Sequence, residues 1–137
     1  MIVVDASAVV AMMAREDDGA EFADRLEAWP RGAGLRRTST VTMWEAALAV
    51  ARLNRVSRNR ALELVEQFCA LAAIDPVAPD MTITTLAVAA AERYGMGGGR
   101  PGILNLGDCF SYATAKHLNA ALLFKGEDFS GTDIAVA

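Results

Sequence analysis

Four carboxylates give this chain its means of doing chemistry: Asp5, Glu45, Asp108 and Asp128. Asp5 follows the run Ile2-Val3-Val4, which suits a strand buried on both faces of a parallel sheet, and a helix-compatible run begins at Ala6. Asp128 falls just past the apolar strand Ala121-Leu122-Leu123-Phe124, Asp108 opens a helix, and Glu45 projects from another helix, off its apolar stripe. Taken singly, each reads as a helix cap or a turn residue. Taken together they read as a site. If the strands are parallel, Asp5 and Asp128 share the sheet edge at which α/β proteins bind ligands, and the two helices can bring Glu45 and Asp108 to it. Four carboxylates in one place repel one another and stay ionised together only when a cation neutralises them. The expected cofactor is therefore a divalent metal, and an all-oxygen donor set favours Mg²⁺ or Mn²⁺ over Zn²⁺.

Other chemistries find fewer residues. The single histidine, His117, lies beside Lys116 in the last turn of a helix with no acid near it in sequence. No serine–histidine or cysteine–histidine pair presents itself, so covalent catalysis is disfavoured and activation falls to the metal. Cys69 and Cys109 stand alone in apolar helical surroundings and read as buried thiols. The glycine-rich stretch from Gly95 to Gly102 lacks both the Gly-Lys-Ser/Thr ending and the preceding strand of a phosphate loop; it reads as a surface loop, able to close over a substrate through Arg100. A haloacid-dehalogenase-type phosphohydrolase needs an acid two residues after the first aspartate, where this chain has Ser7. A receiver-like module needs adjacent acids after its first strand, and Asp5 stands alone.

The elements that must position these residues alternate along the chain. Helices are expected from Ala6 to Ala14 and from Asp17 to Trp29, the second stopped by Pro30 and Gly32. A short strand from Leu35 to Ser39 leads into a helix at Thr40 whose stripe is Val41, Trp44, Leu48 and Ala51. On that helix Arg52 follows Glu45 by nearly two turns, so the two project from roughly one side. Ser57 caps a helix running to about Ala73, Ile74-Asp75 adds a strand, and Asp80 caps a helix reaching Tyr94. The last helix runs through Leu118, and short strands follow at 121–124 and around 134–136. This alternation predicts an α/β layer fold over one domain, residues 1–137, with 53% hydrophobic and 22% charged residues to build it. No apolar run has membrane-spanning length, and the first strand leaves no room for a leader, so a cytoplasmic protein is expected. The net charge of −4 argues against a nucleic-acid partner unless basic residues are concentrated. The segment 52–60 does concentrate them, with Arg52, Arg55, Arg58 and Arg60 and no acid, and Arg36 and Arg37 precede another helix.

Four stretches carry a family resemblance: Val3-Val4-Asp5-Ala6-Ser7, Trp44-Glu45-Ala46-Ala47-Leu48, Leu104-Asn105-Leu106-Gly107-Asp108-Cys109-Phe110 and Lys125-Gly126-Glu127-Asp128-Phe129. In this order and spacing the chain resembles the PIN-domain proteins, and more narrowly the VapC-type toxin ribonucleases of toxin–antitoxin pairs. The resemblance implies a central parallel sheet of about five strands between helices. It also implies that the acids Asp5, Glu45, Asp108 and Asp128 hold the metal, with Ser7, and less clearly Asn105, in support; the expected mechanism has Mg²⁺ on Asp5, Asp108 and Asp128, with Glu45 orienting ligands or water. Glu127 adjoins Asp128 and either could reach the metal through a water; Asp128 precedes Phe129 as the family pattern requires. Such a protein would hydrolyse RNA to a 5′-phosphate and a 3′-hydroxyl, form a homodimer and be held by a cognate antitoxin protein. RNA would then be bound locally, by Arg52, Arg55 and Arg58 with Arg100 or Lys116. A degenerate PIN module that binds without cutting is the alternative.

Overall fold

The computed structural model describes residues 1–97 and 102–137. Four parallel strands form the sheet: β1 (Ile2–Val4), β2 (Arg36–Ser39), β3 (Asp75–Val77) and β4 (Ala121–Leu123), in the order β3-β2-β1-β4. Among the described residues six helices connect and cover them: α1 (Ala6–Met13), α2 (Gly19–Glu27), α3 (Thr40–Asn54), α4 (Arg58–Leu71), α5 (Met81–Tyr94) and α6 (Leu106–His117). Successive side chains of a strand point to opposite faces. Accordingly Ile2 and Val4 join one core with α1, α2, α3 and α4, while Val3 joins the other with α5 and α6. All three are fully buried, as the unbroken apolar run predicts for a sheet covered on both sides.

The chain winds outward from β1 to β2 to β3, and β4 then returns to the other side of β1. The winding direction therefore reverses between β1 and β4, and a crevice opens at the carboxyl ends of strands around such a point. Strand β1 ends there at Asp5, whose backbone N–H donates to Leu123 O at 2.9 Å. Helix α3 starts directly from β2, with Ser39 as its N-cap, and ends at Arg55, which holds a left-handed backbone with φ 53°. Ser57, Asp80 and Asn105 cap α4, α5 and α6 with their side chains.

Two expectations shift. The third strand lies at 75–77 rather than 74–75 and includes Pro76, tolerated because β3 is an edge strand and proline lacks the N–H an inner strand must donate. The expected fifth strand near 134–136 is reduced to a single bridge beside β4, made by Leu122 N–H to Ala135 O (2.8 Å) and Ala137 N–H to Leu122 O (3.0 Å). A turn closed by Thr132 Oγ1 donating to Phe129 O at 2.8 Å precedes this segment. No helix among the described residues is long and apolar enough to cross a membrane.

Candidate active site

At the β1–β4 switch a cleft of about 500 Å³ is lined by Asp5, Ser7, Glu16, Glu45, Asn105, Asp108, Lys125 and Asp128, with small residues between them. The four acids picked out by sequence thus come from four separate places in the chain to one crevice. Asp5 is 3% exposed and Asp108 7%, Glu45 is half-buried, and Asp128 is exposed at the rim.

Asp5 is the N-cap of α1 and is also the most heavily hydrogen-bonded acid of the cleft. Its Oδ2 accepts from Ser7 N–H at 2.9 Å and Ser7 Oγ at 2.6 Å, and its Oδ1 accepts from Ser111 Oγ at 2.6 Å. Ser111 has one proton and gives it to Asp5, so the 2.9 Å contact between Thr42 and Ser111 must run from Thr42 Oγ1 to Ser111 Oγ. These bonds fix the orientation of the carboxylate before any ligand arrives. Ser7 also accepts from Lys125 N–H at 3.0 Å, tying the turn after β4 to the end of β1.

Asp108 sits in the first turn of α6 rather than at its cap. The cap is Asn105, in a capping box: Asn105 Oδ1 accepts from Asp108 N–H and Asp108 Oδ2 accepts from Asn105 N–H, both at 2.9 Å. That leaves Oδ1 of Asp108 without a protein partner in the box. Between them stands Gly107, buried against the Glu45 carboxylate; any Cβ there would collide with the Glu45 side chain. With no side chain at 107, the Glu45 carboxylate can lie directly against the first turn of α6; a Cβ would displace that carboxylate. Asp128 is aimed by the turn before it, where Gly126 takes φ 93°, and by Phe129, buried against Phe124 with ring centroids 4.9 Å apart. Glu127 instead accepts from Ser130 Oγ at 2.7 Å and does not line the cleft.

The electrostatics match the crowding. Burial first, then the charges of Asp5 and Asp108, push Glu45 up from 4.5 to about 7. Burial likewise pushes Asp108 from 3.8 to about 6, with the Asn105 N–H opposing and Asp5 and Asp128 adding to the rise. Both shifts disfavour charge that a cation would favour. Among the described residues no three acidic, cysteine or histidine side chains stand close enough to form a ready-made metal cage. The donor set nonetheless suits a hard divalent cation, being carboxylate oxygen throughout, and Glu45 lines the same cleft as the other three acids.

The proposed basic residues are distributed less favourably. Arg52, Arg55 and Arg58 are exposed around the α3–α4 corner, and Arg58 lines a groove with Trp44, Leu48 and Leu62 rather than the acidic cleft. Arg60 is paired with Glu63 at 2.8 Å. Arg36 is no surface residue at all: it is fully buried on β2, donating to Trp29 O at 2.6 Å and Ala72 O at 2.9 Å and pairing with Glu27. Lys116 pairs with Asp133 at 3.2 Å and lies eight residues beyond Asp108, about 12 Å farther along α6 and away from the acids. His117 is exposed at that same far end. Arg100 lies outside the described residues.

Sequence reasoning overlooked Thr42, Ser111, Gly107 and Lys125. A usable signal existed for the hydroxyls, since Thr42 precedes Glu45 by three residues and Ser111 follows Asp108 by three, placing each pair on one helix face.

A PIN-domain family model matches residues 2–135. The chain belongs to the PIN-domain family. Within the family its curated relatives are VapC ribonucleases. Ribonuclease VapC30 of Mycobacterium tuberculosis is 42% identical over 134 residues, covering 98% of this chain and 96% of that one. A VapC ribonuclease of Rhizobium meliloti is 35% identical over 144 residues, covering 98% and 99%. Among solved structures, the M. tuberculosis toxin VapC20, described as cleaving the sarcin–ricin loop, aligns with a TM-score of 0.74 at 16% identity, covering all of this PIN chain and 98% of its own. A toxin–antitoxin complex from Klebsiella pneumoniae aligns at 0.69 with 20% identity, covering 100% and 97%. At those identities the structural likeness speaks to the fold, which is the PIN fold.

Proposed function

We propose that this PIN domain is the toxin of a type II toxin–antitoxin pair and acts as a Mg²⁺-dependent endoribonuclease, with Mn²⁺ able to substitute. The observation that carries the reading is the meeting of Asp5, Glu45, Asp108 and Asp128 on one cleft at the sheet's switch point, in a chain resembling named ribonucleases over nearly its whole length. Asp5, Asp108 and Asp128 would hold the ion, which when bound supplies an acidified water and neutralises charge on the phosphate. The chain's own residues do the rest. Ser7 and Ser111 hold the Asp5 carboxylate in one orientation, and Thr42 holds Ser111. The Asn105 N–H fixes one oxygen of Asp108 and turns the other free. Glu45, on the same cleft wall, would orient ligands or water. Arg52, Arg55 and Arg58 would hold flanking RNA; Lys116 is the weakest member of the expected set because it lies about 12 Å farther along α6 from Asp108. A homodimer and a cognate antitoxin protein complete the proposal.

The test is cleavage of a mixed pool of cellular RNAs with Mg²⁺, Mn²⁺ or chelator, comparing wild type with Asp5→Asn purified in the same way. Metal-dependent cutting that disappears in Asp5→Asn is expected. Equal cutting by both proteins would assign the activity to a contaminant. Mn²⁺ binding without cutting would favour a degenerate PIN module.

A further inference from the structure

An acidic cleft suits a cation and repels the polyanion it is proposed to cut. Among the described residues lining it, Lys125 is the sole cation. Its backbone is fixed relative to the most buried acid, because Lys125 N–H donates to Ser7 Oγ at 3.0 Å and Ser7 Oγ donates to Asp5 at 2.6 Å. Its side chain is held differently. The ammonium pairs with Glu16 and, at 2.9 Å, with Asp18, both in the connection between α1 and α2. These partners keep Lys125 fully charged, raising its pKa above the ordinary lysine value. All three side chains are about a third exposed, and ion pairs in such surroundings are weak enough for a competing anion to displace.

We propose that Lys125 binds substrate phosphate, its ammonium leaving Glu16 and Asp18 for the phosphodiester seated over Asp5 and Asp108. Glu16 itself lines the cleft, so the parked ammonium already lies at the wall that the phosphate must pass. The flexible four-carbon stem of lysine permits the exchange while its anchored backbone limits where the charge can go. The inference rests on the ribonuclease reading for its substrate but assigns a residue that the four acids do not require. The rival role is a tether that merely pins the 125–129 turn to the α1–α2 connection.

The two roles separate experimentally with Lys125→Met and Lys125→Arg, assayed on a single-stranded oligoribonucleotide across a KCl series. A phosphate contact predicts that Lys125→Met raises KM about tenfold or more and flattens the slope of log(kcat/KM) against log[KCl] by about 0.7, with Lys125→Arg restoring most of both. A lowered Tm in Lys125→Met with KM and salt slope unchanged would overturn the proposal and leave the tether. Binding of the same oligonucleotide, read by fluorescence anisotropy in an Asp5→Asn background, keeps the two readings distinguishable. Weaker, less salt-dependent binding on adding Lys125→Met supports the phosphate contact even if the wild type cuts nothing. Identical binding with and without Lys125→Met overturns it even if the wild type is an active ribonuclease.

Discussion

Asp5 shows how one residue carries structural and chemical duties together. It caps α1 through the Ser7 N–H and is held from the opposite side by Ser111, which is itself held by Thr42. Ser111→Ala removes a buried hydrogen bond to a charged group and strands Thr42, so a loss of about 1.5–3 kcal/mol is expected in urea unfolding, with reduced cleavage. Glu45 and Asp108 give the site a pH dependence whose sign follows from their shifts. Their folded-state pKa values, about 7 and about 6, exceed the ordinary 4.5 and 3.8. The metal-free fold therefore binds these protons more tightly than the unfolded chain does, and this contribution to stability declines as pH rises from about 4 through 7. A divalent cation displaces the same protons. Mn²⁺ should accordingly raise Tm more at pH 8 than at pH 5.5, with proton release detectable as a buffer-dependent heat; equal shifts at both pH values would count against carboxylate ligation. Glu27 and Asp133 act in another window. Arginine contacts hold Glu27 at about 2, and Tyr112 and Lys116 hold Asp133 there, so their stabilising contributions are complete above pH 4.5 and vanish only towards pH 2.

At the scale of elements, helix ends do most of the positioning. The cap of α6 places Asp108, the cap of α1 is Asp5, and the left-handed Arg55 turns α3 into α4 so that three arginines are exposed at one corner. The conformation of Arg55 decides how the corner is tested. Alanine there would keep the left-handed strain that arginine already bears, whereas glycine adopts φ 53° freely, and either removes the charge. The pair Arg55→Gly and Arg58→Ala should weaken RNA binding and reduce the salt slope by about 1.4, roughly 0.7 for each phosphate no longer neutralised. Unchanged binding would remove the corner from the RNA path. The motif at 125–129 was legible as a turn after a strand, and Phe129 in that pattern favoured Asp128 over Glu127; the structure adds that Phe129 packs on Phe124. No local pattern reports that packing.

For the whole molecule, the sheet is the shared wall of two cores, so damage on one face reaches the site on the edge. Leu122 is fully buried on β4, next to the strand that ends in Asp5. Leu122→Ala is expected to cost about 2–5 kcal/mol and to lower the activity in proportion to the unfolded fraction, measured by thermal melts beside cleavage. Activity lost from a fully folded Leu122→Ala variant would instead show that the β1–β4 edge deforms without unfolding. The acidic net charge finds its place at this scale as well, because acids gather in the cleft, whereas surface acids such as Glu27, Glu63 and Asp133 are offset by paired cations.

The sequence by itself determined the order of strands and helices, most of the caps and the four acids, because periodicity, cap chemistry and the strand-end position of Asp5 and Asp128 are local signals. It also misled locally: Arg36 looks like surface charge in the sequence and proves to be a buried strut, since only packing reveals the carbonyls of Trp29 and Ala72 that receive it. Tertiary structure alone decided that Thr42 and Ser111 support Asp5, that Gly107 packs against the Glu45 carboxylate, that Lys125 joins the cleft and that Lys116 does not. Each of these rests on which surfaces meet after the sheet reverses its winding at β1 and β4, and a hydrogen bond between residues as distant as Asp5 and Ser111 leaves no trace in the spacing of either.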